Sequence, residues 1–96
     1  MECQIWISGD VATITLPKEF SFNSKNEFRS AVKAGKPIYE VDFYKVEKID
    51  SAALGMLLLL KEASKDKPAT VTFRNVRPDI LKMLQIVRFH ELFTIV

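Results

Sequence analysis

A chain of 96 residues, 48% of them apolar and with seven Phe, two Tyr and one Trp, can bury one hydrophobic core and is too apolar for a disordered segment. A formal charge of +2 is too small to imply nucleic acid by itself, and a lone cysteine, Cys3, excludes an intramolecular disulfide and a C-x-x-C metal or redox site. No run approaches the ~20 apolar residues that span a bilayer, and Met1–Gln4 carries no basic segment, so a cytoplasmic protein without membrane insertion is expected.

Ile5–Ile7 and Val11–Leu16 alternate as strands do, and Ser8–Gly9–Asp10 between them has a tight-turn composition. Pro17, with no N–H to donate, stops the second strand. Ser24–Lys25–Asn26–Glu27 matches a capping box and predicts a helix running to about Ala34. Phe28, Ala31 and Val32 are expected to face inward, with Gly35 and Pro37 ending the element. In Ile38–Phe43, Tyr39, Val41 and Phe43 share one strand face and Glu40 and Asp42 the other. A second helix is predicted from about Ser51 to Ser64, followed by a polar loop, Lys65–Asp66–Lys67–Pro68. Ala69–Phe73 alternates again; Pro78 suits the first turn of a third helix carrying Ile80, Leu81, Leu84 and Val87; Leu92–Val96 closes as a strand. The order β-β-α-β-α-β-α-β predicts an α/β domain over residues 1–96, a mixed sheet of about five strands covered by about three helices.

The second helix carries the most information. Asp50 and Ser51 suit a helix start, because their oxygens can accept hydrogen bonds from unpaired first-turn N–H groups. The nine residues Ala52–Leu60 that follow hold no polar side chain, more than one buried face requires. Either the helix is deeply buried, or its amino-terminal end is a contact surface. Ser51 is then either a cap or a hydroxyl at the rim of that surface. A phosphate there would add about −1.5 to −2 charges, tolerated by the helix dipole but opposed to apolar docking.

Catalytic and metal readings are poorly supported. His90 is the only histidine, sits in Arg88–Phe89–His90–Glu91, and has no neighbour in sequence to orient its imidazole; one His and one Cys cannot make a zinc site. Gly9, Gly35 and Gly55 are isolated and form no phosphate loop, so no cofactor and no catalytic residue is expected. Lys25, Arg29 and Lys33 form a positive stripe on the first helix, a solvated face or a steering surface for an acidic partner. Without an aromatic platform beside it, direct nucleic-acid binding is not expected.

The run Val41–Asp42–Phe43 followed by Ile49–Asp50–Ser51–Ala52–Ala53–Leu54–Gly55–Met56 resembles the signature of STAS domains, the anti-sigma factor antagonists of bacteria. Ser24–Val32, Val76–Leu84 and Glu91–Ile95 are similar to that family's flanking elements. The resemblance implies a partner switch: the unphosphorylated protein binds an anti-sigma factor that is often a serine kinase, phosphorylation breaks the complex, and a serine phosphatase restores it. Carried over, Ser51 matches the phosphoacceptor and Asp50 the acid before it. Ala52, Ala53, Gly55 and Met56 match the docking end of the helix, and Ser21, Phe22 and Asn23 the loop of the partner surface. On this expectation Ala52–Met56 meet the partner and Leu57–Leu60 belong to the core.

Two departures from the family pattern stand out. Lys18–Glu19–Phe20–Ser21 replaces the family's Gly-x-Leu-Asp and removes an acid, so the family's nucleotide binding does not carry over to this chain from the resemblance, and a different partner preference is expected. Ser51–Ala52–Ala53 offers one hydroxyl where two adjacent serines are common. The same resemblance admits a permanently bound accessory subunit, for example of an ABC-type lipid transporter, in which Ser51 would be only a cap.

Overall fold

The computed structural model describes residues 3–63 and 68–96. Strands β1 (Gln4–Ser8) and β2 (Val11–Thr15) form an antiparallel hairpin whose turn places Gly9 at φ +58°, a conformation glycine reaches without strain. A two-residue strand β3 (Glu19–Phe20) and a 3₁₀ turn (Phe22–Ser24) lead into α1 (Lys25–Lys33), and Gly35 at φ +62° ends that segment as predicted. Then follow β4 (Ile38–Asp42), a second two-residue strand β5 (Lys48–Ile49), and α2 (Ser51–Leu58), which tightens into a 3₁₀ turn over Leu59–Glu62. The predicted end of this helix at Ser64, and Lys65–Asp66–Lys67 after it, lie outside the described residues. The chain finishes with β6 (Thr70–Arg74), α3 (Pro78–Ile86), a 3₁₀ turn (Phe89–Glu91) and β7 (Thr94–Ile95).

Five strands make one mixed sheet in the order β1-β2-β4-β6-β7, parallel throughout except for β1. This agrees with the expected α/β class, with three α-helices among the described residues. Alternation decides the faces: Ala12, Ile14, Tyr39, Val41, Val71 and Phe73 are buried, whereas Thr13, Glu40 and Thr72 on the opposite face are only partly so. Phe43, Phe73, Phe89 and Phe93 form an aromatic cluster with ring centroids 4.6–5.3 Å apart. The Tyr39 hydroxyl, itself buried, donates to the Ala31 carbonyl at 2.8 Å and ties β4 to the last turn of α1.

The expected capping box does not form. Ser24 is buried and its side chain makes no capping bond, because the preceding 3₁₀ turn already sets its backbone near φ −90°, ψ 6°. A capping oxygen must swing over the helix start from an extended backbone. Ser21, at φ −142°, ψ −177°, takes that role for the 3₁₀ turn, its Oγ accepting the Asn23 N–H at 3.2 Å.

Candidate functional site

The strands that sequence periodicity does not show, β3 and β5, build the site. Glu19 and Phe20 pair in parallel with Lys48 and Ile49, so the chain arrives at Ser21 and at Asp50 side by side. Phe20 packs on Phe28 with ring centroids 5.4 Å apart, which anchors β3 to α1. The Asp50 N–H then donates to the Phe20 carbonyl at 3.4 Å.

Asp50 is the N-cap of α2. Its backbone is extended (φ −106°, ψ 174°) and its Oδ1 accepts the Ala53 N–H at 2.8 Å. The other carboxylate oxygen, Oδ2, accepts the Phe22 N–H at 3.3 Å. One side chain therefore caps the helix and holds the Ser21–Asn23 loop beside it. Glu19, Phe20, Ser21, Lys48, Ile49 and Asp50 line a cleft of about 310 Å³ at this junction. Phe22 is exposed, and the Lys25 ammonium lies 4.5 Å from its ring centroid, a cation–π contact.

Ser51 is the first residue of α2, and it is exposed. Among the described residues its hydroxyl has no hydrogen-bond partner, so the cap expected of it belongs to Asp50 instead. The helix start needs one acceptor over its first turn, and Asp50 supplies it from the residue before. Ser51 is left with a solvent-facing hydroxyl at the positive end of the helix dipole.

The structure divides the expected docking residues into two sets. Ser51, Ala52 and Gly55 are exposed, as are Phe22 and Asn23, and Ser21 is half-buried. Ala53 is 0% exposed and Met56 8%, so neither offers a surface for direct contact; both pack in the core with Leu57 and Leu60. The expectation that Leu57–Leu60 is wholly core is also corrected, because Leu58 and Leu59 are 42% and 44% exposed. Positions 53, 56, 57 and 60 are the i, i+3, i+4, i+7 stripe that faces inward, and its complement runs through 52, 55, 58 and 59. That complement is an exposed apolar ridge continuing from Ser51. Gly55 sits on the ridge, and a Cβ built there meets nothing within 4 Å, so no packing within the chain requires glycine.

His90 is exposed on the 3₁₀ turn, its Nε2 3.9 Å from a Glu91 carboxylate oxygen. No group of three His, Cys, Asp or Glu side chains gathers among the described residues. Among the same residues no helix is long and apolar enough to cross a membrane. Of the α1 stripe, Lys25 is partly buried against Phe22 while Arg29 and Lys33 are exposed.

Comparison with known proteins places this arrangement in a family. Residues 3–96 match the family described as "Mlab, STAS domain". A STAS-domain containing protein of Pseudomonas aeruginosa (strain UCBPP-PA14) is 36% identical over 90 residues, covering 91% of this chain and 89% of that protein. Among solved structures, an anti-sigma-factor antagonist (STAS) domain protein from Planctomyces limnophilus superposes with a TM-score of 0.83 at 16% identity, over 99% of this chain and 89% of that one. The anti-sigma factor antagonist SpoIIAA in its unphosphorylated form gives 0.75 at 14% identity, over 98% and 86%. A sulfate transporter family protein from Wolinella succinogenes gives 0.74 at 13% identity, over 91% and 74%. These structural likenesses are of fold. The family match over nearly the whole chain and the Pseudomonas relative go further: this chain belongs to the STAS domain family.

Proposed function

We propose that this chain is a cytoplasmic anti-sigma factor antagonist: a binding module, not an enzyme, whose partner is an anti-sigma factor with serine kinase activity. The observation that carries the reading is the state of Ser51. Its hydroxyl heads α2, is exposed, and takes no part in capping, since Asp50 does that work. A phosphate added there would leave the helix cap intact and meet the favourable end of the dipole. It would also put about −1.5 to −2 charges beside the Asp50 carboxylate and at the head of the apolar ridge Ala52–Gly55–Leu58–Leu59, where docking requires desolvation. Phosphorylation would thus oppose association while leaving the domain folded, and a serine phosphatase would restore binding. The fold shared with SpoIIAA, which has been solved in unphosphorylated and phosphorylated forms, supports this reading.

In a pulldown from native lysate, Ser51→Ala should retain a serine kinase that Ser51→Asp loses. A second reading, a permanently bound accessory subunit such as that of an ABC-type lipid transporter, is favoured by the family description "Mlab, STAS domain" and by the occurrence of the fold in a sulfate transporter family protein. Retention of one and the same partner by both variants would favour that reading and sink the switch.

A further inference from the structure

The two edges of the main sheet are not alike. On one side β7 is two residues long, too short to template another strand. On the other, β1 presents five residues, Gln4–Ile5–Trp6–Ile7–Ser8, with no charge, no proline and every residue exposed. Natural sheets ordinarily protect such an edge with charge, proline or a covering element, and none of these lies over β1 among the described residues. Trp6, the only tryptophan, is 74% exposed beside Thr13.

The hairpin register fixes what the free edge displays. Ser8 and Val11 close the two-residue turn and so form a hydrogen-bonded pair. Alternation then makes Trp6–Thr13 and Gln4–Thr15 bonded pairs, and Ile5–Ile14 and Ile7–Ala12 non-bonded ones. The N–H and C=O groups of Ile5 and Ile7 therefore point away from β2, toward the open edge. These groups are disposed symmetrically about Trp6.

We propose that β1 pairs antiparallel with β1 of a second copy of this chain about a two-fold axis at Trp6, joining two five-stranded sheets into one of ten. In that register Ile5 of each copy lies opposite Ile7 of the other, and all four outward groups on each strand find partners. Trp6 faces Trp6 of the second copy as a non-hydrogen-bonded pair, the closer of the two kinds of cross-strand pair and the one that brings aromatic rings together. A second copy suits the edge better than another partner because an uncharged strand symmetric in its hydrogen-bonding groups is complementary to itself. Pairing uses both β1 edges and, among the described residues, leaves the main sheet only its two-residue β7 edges, so assembly of that sheet closes at the dimer. No residue around Ser51 belongs to β1, and the inference does not rest on the switch.

Sedimentation equilibrium of the full chain from micromolar to millimolar concentration tests it. The mass should rise from 11.0 kDa toward twice that value, and Trp6 emission should shift to shorter wavelength with it. Trp6→Lys alters a largely exposed side chain and sets two cations face to face across the axis, so it should remain monomeric with an unchanged far-ultraviolet circular dichroism spectrum. Ile7→Lys, which keeps the tryptophan, should remain monomeric with concentration-independent emission. A wild-type chain that stays monomeric throughout, grows beyond the dimer, or forms a dimer that both variants preserve would overturn the proposal.

Discussion

The Asp50 carboxylate accepts the backbone N–H of Phe22 at 3.3 Å, across 28 positions of sequence. Because the same carboxylate also caps α2 through Ala53, the Ser21–Asn23 loop and the amino-terminal end of α2 are held by one side chain. An acid ahead of the serine therefore has a structural task, whatever else it does for a partner.

Asp50→Ala should remove both bonds and destabilise the domain by about 1–2 kcal/mol, the range for losing a helix cap together with a hydrogen bond to a charged acceptor. Asp50→Asn keeps one acceptor oxygen and should lose roughly half as much. Urea midpoints at constant m-value would check the order. Equal stability for all three proteins would show that the bridge contributes nothing in solution.

Ser51→Ala should change stability by less than about 0.5 kcal/mol, because the hydroxyl is exposed and caps nothing. Ser51→Asp should be neutral or slightly stabilising, since a negative charge in the first helical turn is worth about 0.3–1 kcal/mol. Thermal unfolding of the three proteins distinguishes this from a structural serine, which would register in the alanine variant.

Gly55→Ala should stabilise the isolated chain by up to about 1 kcal/mol, since glycine is the weaker helix former and the new methyl group meets no atom within 4 Å. If the ridge is the docking face, the same methyl group holds the partner's backbone away and weakens binding. Calorimetry of the free variant, paired with titration of the partner, reads both effects. A variant more stable and equally tight in binding would move the interface away from Gly55.

Burial, and secondarily the charge of Glu27, push the Cys3 thiol up from its ordinary 9.0 to about 11. The folded state thus holds this proton more tightly than the unfolded chain does. Its contribution to stability is present below pH 9.0 and is lost as the pH rises toward about 11. Subtracting the unfolding free energy of Cys3→Ala from that of the wild type isolates the effect from other groups that titrate there. The difference should be flat below pH 9.0 and fall above it; one that rises above pH 9.0 would contradict the assignment.

Much of the fold was legible because its long elements carry a period. The Tyr39, Val41, Phe43 alternation, the Gly35 stop and Pro78 at the first turn of α3 all stand where local chemistry puts them. Two kinds of feature were not legible. Glu19–Phe20 and Lys48–Ile49 are too short to show any alternation and are strands only because the tertiary fold lays them side by side. Across Ala52–Leu60, side chains that are apolar on every side of the helical turns give no pattern to tell inward from outward, and only the fold shows Ala53 and Met56 buried and Leu58 and Leu59 exposed. The capping box failed for a related reason: a four-residue pattern cannot register the 3₁₀ turn that precedes it.

The Ser51 switch is tested most directly by incubating the chain with ATP and the serine kinase that Ser51→Ala retains, then locating the phosphate by mass spectrometry and measuring how much kinase stays bound. The predicted result is a single phosphate on Ser51, none on the Ser51→Ala variant, and release of the kinase from the phosphorylated protein. Phosphate on another residue with Ser51 unmodified, or a Ser51-phosphorylated chain that still holds the kinase, would contradict it.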